Sequence, residues 1–187
     1  MAKFVKKSGN TKYYEIDSIR AAGIMPYMIK DNKVYILINV EERNKKIVYN
    51  SIGGKVDKFD RTVYETMVRE FNEETGFLVF DKMRNYFKHI KQNNCIKVAK
   101  SKYLLHVLKV SKEDTNIWSL LPRTYDVIFK GAEKFNHRES IQLKWIDLFN
   151  FNSSKNTSFL LKVLLGKVRR LNQFASYNPD DPIELED

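Results

Sequence analysis

The sequence contains a single cysteine, Cys95, and no apolar run long enough to cross a membrane. One cysteine excludes an internal disulfide, which is typical of proteins in a reducing compartment. A transmembrane helix needs about 20 consecutive apolar residues. The basic N-terminus is not followed by an apolar segment with a small-residue cleavage site, so secretion is not indicated. We therefore expect an intracellular, cytoplasmic protein with no membrane partner.

Internal repeats and Gly/Ser-rich linkers are also missing from the sequence. Its 187 residues, with 12 Phe and 10 Tyr, are enough for one domain with a packed core. We predict that this domain covers residues 20–175. A basic N-terminal extension at 1–19 and an acidic C-terminal tail at 176–187 would flank it.

Three common kinds of site are excluded by spacing. His89, His106 and His137 lack zinc-ligand spacing and have no cysteine pair to join. His106 lies in a strand candidate and is interpreted as packed or substrate-facing, and Cys95, which lies in no nucleophile motif, as structural. The stretch Gly53-Gly54-Lys55 lacks the earlier glycine and the following Ser or Thr of a Walker A loop.

Positive charge is what the chain has in excess, with 33 Lys and Arg against 23 Asp and Glu and a net charge of +10. Such an excess favours anionic partners such as nucleotides, RNA or inositol phosphates. Residues 82–112 contain nine Lys or Arg and no acid, with Tyr86, Phe87 and Tyr103 between them. Basic and aromatic residues together can hold phosphates and stack bases, as in RNA binding. A solvated basic face over core aromatics would give the same pattern.

Apolar periodicity predicts a mixture of strands and helices. The predicted strands cover residues 21–29, 33–40, 46–51, 101–110, 125–129 and 141–146. The predicted helices cover residues 61–75, closed by Gly76, residues 113–121, stopped by Pro122, and residues 156–174.

Three carboxylates, Glu70, Glu73 and Glu74, lie close together in the first predicted helix. On a helical wheel they share an arc about 100° wide, which borders the apolar face that contains Phe71 and Met67. Carboxylates this close repel one another, and beside a core they are poorly solvated unless a cation is supplied. A hard divalent ion such as Mg²⁺ or Mn²⁺ suits oxygen ligands. The alternative is an ordinary solvated Glu-rich face.

A glycine pair, Gly53-Gly54, ends the strand candidate that precedes this helix. Glycine allows a backbone to approach a ligand closely. A strand, a glycine loop and a helix with Glu-x-x-Glu-Glu would bring carbonyls and carboxylates around one point. This pattern favours a metal and phosphate site.

Residues 69–77, R-E-F-N-E-E-T-G-F, closely resemble the second half of the Nudix hydrolase signature, G-x5-E-x7-R-E-U-x-E-E-x-G-U, in which U is a bulky apolar residue. The first half departs from the signature. If Gly54 takes the signature glycine, Asp60 replaces the first Glu, and eight residues instead of seven separate Asp60 from Arg69. A longer loop or a shifted helix start must absorb the additional residue. The resemblance implies an α/β fold, a Nudix-type α/β/α sandwich built on a mixed β-sheet.

The resemblance also implies roles for single residues. Glu70, Glu73 and Glu74 are the expected carboxylate ligands of Mg²⁺ or Mn²⁺, and the carbonyl of Gly53 is the expected backbone ligand. One helix carboxylate, with Glu70 as the first choice, would orient or deprotonate the attacking water. Arg69 would pair with a helix carboxylate and hold it in position.

Further residues are expected to complete the site. Related enzymes often supply one more acid from a loop ahead of a late strand, and Glu139, six residues before Trp145, suits that position, with Glu133 as its substitute. The lysines expected to contact the substrate phosphates are Lys55, Lys97, Lys100 and Lys102.

The implied reaction is hydrolysis of a pyrophosphate bond in a nucleoside diphosphate linked to another group. Capped RNA is the favoured substrate, because a decapping enzyme must hold an RNA body as well as a cap. Diphosphoinositol polyphosphates, dinucleoside polyphosphates and nucleotide sugars are alternatives, since any highly anionic substrate suits this charge. A different class of function is a Nudix-fold module that binds nucleotide or RNA without turnover, which the irregular spacing before Arg69 would support.

Overall fold

A computed structural model of the chain describes residues 18–76, 78, 95–129, 140–153 and 155–171. The strands in these ranges are β1 (Ala21–Lys30), β2 (Lys33–Arg43), β3 (Lys46–Asn50), β4 (Gly53–Lys55), β5 (Cys95–Val98), β6 (Tyr103–Lys109) and β7 (Ser140–Asp147). The helices are α1 (Val63–Glu74), α2 (Thr115–Phe129) and α3 (Phe159–Val168). Within the same ranges no helix is long and apolar enough to span a membrane.

The strands form one mixed sheet with the order β3-β2-β1-β6-β5, in which β4 also pairs with β1 and β7 with β2. The β1–β6 pair is parallel, and the other pairs are antiparallel. Asp31 and Asn32, both with positive φ, form the two-residue hairpin turn between β1 and β2. Residues of α1 and α2 pack with one face of the sheet and residues of α3 with the other. The predicted α/β/α sandwich on a mixed sheet is therefore confirmed.

Two buried clusters hold the helices on the sheet. Phe71 of α1 and Trp118 of α2 are completely buried on one face, with ring centroids 6.2 Å apart. Leu161 and Leu164 of α3 are completely buried on the other face, against Ile38. Burial of a side chain of this size stabilises the fold by roughly 1.5–3 kcal/mol. Phe71 thus fixes the helix that carries the three clustered carboxylates.

The prediction of a short helix stopped by Pro122, followed by a strand at 125–129, is wrong. Helix α2 continues through Pro122 to Phe129. A proline inside a helix leaves the carbonyl four residues earlier without its amide donor. Here that carbonyl belongs to Trp118, and the indole Nε1 of Trp145 donates a hydrogen bond to it at 2.9 Å. A side chain from β7 therefore replaces the missing helical hydrogen bond.

The other two helices are shorter than their predicted ranges. Helix α1 begins after Thr62, whose hydroxyl accepts a hydrogen bond from the backbone N–H of Glu65 at 3.1 Å. It is followed by Gly76 in the left-handed region, at a φ of 63°, as predicted for its end. Helix α3 begins after Ser158, whose hydroxyl accepts from the backbone N–H of Leu161.

Buried His106 on β6 pairs with half-buried Cys95 on β5. His106 is 2% exposed, and its Nδ1 lies 3.6 Å from the Sγ of Cys95. Burial lowers the pKa of His106 to about 4 and raises the pKa of Cys95 to about 11. Both groups are therefore neutral near pH 7, which suits packing better than nucleophilic chemistry.

This burial predicts a dependence of stability on pH. Because the pKa of His106 falls from 6.5 to about 4 on folding, the unfolded chain binds a proton more readily between those values. The stability contribution is present above about pH 6.5 and is lost as the pH falls towards 4. Between pH 7.5 and 4.5 the free energy of unfolding should fall by about 2 kcal/mol more in the natural protein than in His106→Gln. Urea unfolding at both values measures this difference, and parallel losses in the two proteins would contradict it.

Candidate functional site

The glycine pair forms strand β4, which runs beside the start of β1. Gly53 pairs with Gly23, and Gly54 pairs with Ala22. A Cβ atom at Gly23 would overlap the carbonyl of Ile52, and a Cβ atom at Gly54 would overlap the carboxylate of Glu70. The backbone conformation of Gly53, with a φ of 144°, is also one that side chains disfavour. These glycines let two strands and a helix carboxylate meet with no side chain between them.

Two of the three helix carboxylates lie against this strand. An Oε atom of Glu74 accepts a hydrogen bond from the backbone N–H of Gly53 at 2.9 Å. The carboxylate of Glu70 lies beside Gly54, and its side chain is 15% exposed. The side chain of Glu73 is instead half-exposed and binds Arg69 at 3.0 Å. Across the described ranges, no three His, Cys, Asp or Glu side chains converge closely enough to form a metal cluster.

Arg69 connects the helix carboxylates to the loop before the helix. Its Nη1 donates to Glu70 at 2.8 Å and to Glu73 at 3.0 Å. Its Nη2 donates to the carbonyl of Lys55 at 2.9 Å, and the guanidinium also binds Asp60. Hydrogen bonds from Arg69 to these acids raise its pKa further above its usual range. The guanidinium therefore remains charged and holds Glu70 beside β4.

Asp60, the predicted replacement of the first signature acid, is bound to Arg69. Its two carboxylate oxygens accept from Nε and Nη2 of Arg69 at 3.2 and 3.0 Å. They also accept from the hydroxyl of Thr66 and the backbone N–H of Asp57, both at 2.8 Å. Burial alone would raise the pKa of Asp60, but these hydrogen bonds outweigh it and lower the pKa. The loop before Thr62 absorbs the additional residue, because α1 starts only at Val63.

The donor atoms at this place fit a hard divalent cation. Glu70 and Glu74 supply carboxylate oxygens on either side of the Gly53–Gly54 backbone, and Glu73 lies one helical position from Glu74. Mg²⁺ and Mn²⁺ favour such oxygen ligands. The positive group that now lies among Glu70 and Glu73 is the guanidinium of Arg69.

The four lysines expected to contact substrate are exposed, and they lie in or just outside β4, β5 and β6 at one end of the sheet. In register, Ala21 of β1 lies opposite Lys55 and also opposite Tyr103, the residue after Lys102. The backbone N–H of Arg20 donates to the carbonyl of Lys102 at 2.8 Å. Lys97 lies one strand further along, and Lys100 belongs to the 3₁₀ turn at 99–101. Strand pairing thus gathers cations that are distant in sequence.

Several sequence predictions fall outside the described residues. Glu139 and its substitute Glu133 belong to this group, as does the stretch 82–94 of the basic run with Tyr86 and Phe87. Nothing in the structure bears on these predictions.

Two residues of the site were not predicted to belong to it, although Tyr103 was named among the aromatic residues of the basic run. Tyr103 is 2% exposed, and its hydroxyl lies 3.4 Å from the carbonyl of Ile52 and 3.5 Å from the hydroxyl of Ser51. Burial raises its pKa, so the phenol stays protonated. Gly23 approaches the same point from β1. A glycine inside a strand pattern is itself a signal of close backbone approach, whereas Tyr103 resembles any strand aromatic.

Comparison with known proteins identifies the region that contains this site. A family model described as the NUDIX domain matches residues 19–148. The "Uncharacterized protein L534" of Acanthamoeba polyphaga mimivirus is 28% identical over 164 residues, which are 84% of this chain and 46% of that protein. This chain thus spans about half the length of that relative.

Two solved structures are also similar. One is a Caenorhabditis elegans Ap4A hydrolase binary complex, with 16% identity, 80% of this chain and 94% of that chain covered, and a TM-score of 0.39. The other is Shewanella oneidensis NrtR complexed with a 27mer DNA, with 10% identity, 80% and 61% covered, and a TM-score of 0.42.

Proposed function

Because this chain belongs to the Nudix family, we propose that it hydrolyses a pyrophosphate bond in a nucleoside diphosphate linked to another group. The observation that carries the proposal is the contact between the helix carboxylates and the glycine strand. Glu70 lies against Gly54, and Glu74 accepts a hydrogen bond from Gly53. A site that hydrolyses a phosphate bond needs such an arrangement, in which a helix carboxylate lies beside backbone that no side chain covers.

Mg²⁺ or Mn²⁺ is the proposed cofactor. Glu70, Glu73, Glu74 and the carbonyl of Gly53 would hold it. A bound divalent ion neutralises the charge of a pyrophosphate and lowers the pKa of a coordinated water.

The remaining roles belong to side chains of this chain. Glu70 would accept a proton from the attacking water, since its carboxylate lies beside Gly54 and is partly buried. Arg69 is a positioning residue, because it binds Glu70 and the backbone of Lys55 at once. The Lys55 ammonium, with Lys97, Lys100 and Lys102, would attract the substrate phosphates. Glu139 is proposed as a further acid for the proton transfers.

Capped RNA is the proposed substrate. The exposed lysines at this end of the sheet favour a substrate with more phosphates than a small nucleotide carries. Diphosphoinositol polyphosphates, dinucleoside polyphosphates and nucleotide sugars are the alternatives within the family's chemistry.

A substrate screen tests the proposal. The protein would be incubated with Mg²⁺ or Mn²⁺ and each of these four substrate classes, and phosphate or nucleotide release would be measured. Glu74→Gln serves as the matched variant, since its amide oxygen can still accept from the N–H of Gly53. We expect metal-dependent release that Glu74→Gln removes. Release that is unchanged in Glu74→Gln, or absent with every substrate, would overturn the hydrolase proposal.

A module that binds nucleotide or RNA without turnover is the second candidate. The observation that favours it is that the guanidinium of Arg69 already binds Glu70 and Glu73 and offsets part of their negative charge. Calorimetric titration with Mg²⁺ and a non-hydrolysable substrate analogue separates the two candidates. An enzyme should bind Mg²⁺ more tightly when the analogue is present. The affinity of a binding module for the analogue should not depend on Mg²⁺.

A further inference from the structure

A groove on the α3 face of the sheet is lined by residues that, apart from Lys100, have no role in the proposed reaction. It has a volume of about 240 Å³ and is lined by Val98, Lys100, Ser101, Phe159, Leu160 and Val163. Its walls are mostly apolar, and Phe159 is 71% exposed although it is a large aromatic side chain. An aromatic ring left open to water in a concave surface offers a face on which a planar ligand can stack.

The two segments that border the groove are basic, although Lys100 is the one cation among the lining residues. No Asp or Glu occurs between residues 95 and 110 or between residues 148 and 171. The exposed cations of these two segments are Lys97, Lys100, Lys102, Lys109, Lys155, Lys162, Lys167 and Arg170. All except Lys109 belong to the turn and strand ends beside the groove or to α3 and its flanks. A groove bordered by two segments that contain exposed cations and no Asp or Glu complements a polyanion.

Helix α3 presents the aromatic ring and a cation on one side. At 100° per residue, Phe159, Val163 and Lys167 fall within an arc about 80° wide. The buried residues of the helix, Leu161, Leu164, Leu165 and Val168, lie on the opposite side. The ring of Phe159 and the ammonium of Lys167 therefore lie along the same side of α3.

The groove lies near the candidate active site but on the other face of the sheet. Val98, Tyr103, Ala21 and Lys55 lie side by side in register on four strands. At about 4.8 Å per strand, Val98 and Lys55 are roughly 14 Å apart. Glu70 meets the sheet from the α1 face, beside Gly54. A flexible polymer could therefore contact the groove while one end of it is at the glycine strand.

We propose that this groove binds single-stranded RNA. A base stacks on Phe159, and adjoining phosphates contact Lys100 and Lys167. This proposal deepens the proposed function and rests on it in one respect, namely that the RNA is the body of a capped substrate. Single-stranded RNA fits better than a lipid surface, because the apolar patch is concave and the two segments that border it contain exposed cations.

The test measures binding alone, so that it does not depend on catalysis. An uncapped, fluorescein-labelled RNA of roughly 12 nucleotides would be titrated at several salt concentrations without divalent ions, with fluorescence anisotropy as the readout. Phe159→Ala should weaken binding by roughly 5- to 150-fold, the range that corresponds to one stacked base. Its salt dependence should stay unchanged, because no cation is removed.

Charge variants distinguish RNA binding in this groove from non-specific electrostatic attraction to the protein. The double variant Lys100→Ala, Lys167→Ala should lower the slope of log K against log salt by about 1.4, that is about 0.7 for each lost phosphate contact. The control Lys30→Ala, Lys109→Ala removes the same charge at the far end of the sheet and should leave the slope unchanged. An equal loss in the control, or unchanged binding in Phe159→Ala, would overturn the proposal. So would Phe159-dependent binding to anionic vesicles without RNA binding.

The two proposals can fail separately. Glu70→Gln should bind the uncapped RNA normally, and Phe159→Ala should hydrolyse a small dinucleotide substrate at the rate of the natural protein. Groove binding without turnover of any substrate would contradict the proposed function alone. Turnover without Phe159-dependent RNA binding would contradict the groove alone.

Discussion

Glu70→Gln is expected to lower kcat for pyrophosphate hydrolysis by about 10²- to 10⁴-fold, the range typical for loss of a general base. Glutamine keeps the size of the side chain, and its amide oxygen can still accept the 2.8 Å hydrogen bond from Arg69. The neutral amide, however, cannot take a proton from water. Unfolding temperature should therefore change little while kcat falls. Steady-state kinetics and thermal unfolding of the same samples measure both.

Glu65→Gln is the matched control for this experiment. Glu65 lies on the same helix, but it is exposed and accepts a hydrogen bond from the backbone N–H of Arg61 at the start of the helix. Its replacement removes the same charge from the helix without touching the glycine strand. A similar fall in kcat for both variants would show that net charge matters and that Glu70 has no special role.

Gly54→Ala is expected to reduce kcat/KM by about 100-fold or more. The new methyl group would overlap the carboxylate of Glu70, which must rotate away from β4. A displacement of about 1 Å at a catalytic group is enough for a loss of this size. Because Glu70 is a flexible side chain, the fold should survive, and the far-ultraviolet circular dichroism spectrum should match that of the natural protein.

Gly166→Ala gives the matched control for the glycine substitution. A Cβ atom at Gly166 in α3 meets nothing within 4 Å. Alanine has the better helix propensity, so this variant should keep its activity and gain up to about 1 kcal/mol of stability. Combining Gly54→Ala with Glu70→Gln tests the cause of the first effect. If Gly54→Ala acts by moving Glu70, the double variant should be no slower than Glu70→Gln alone. Multiplied losses would contradict this account.

Much of the fold could be predicted from the sequence. Strands β1 and β2, on either side of Asp31-Asn32, and helix α1, before Gly76, formed near their predicted places. Their patterns are local, because they depend only on residues that are close in sequence. Residues 122–129 were predicted wrongly because a local rule, proline as a helix breaker, was outweighed by a distant donor, Trp145. A rule that reads one segment at a time cannot include such a contact.

The candidate site divides in the same way. Helical periodicity and chain spacing are local properties, so they were enough to predict which acids share a side of α1 and that a glycine pair precedes them. Tertiary packing was needed to show which carboxylates touch the glycine strand, how Asp60 reaches Arg69, and that the Tyr103 hydroxyl lies beside the carbonyl of Ile52. Tertiary packing also places Lys55 and Lys102 on either side of the start of β1 and brings Phe159 and Lys100 into one groove. Those juxtapositions join residues tens of positions apart, and the pairing of β1 with β4 and β6 and the packing of α3 on the sheet create them.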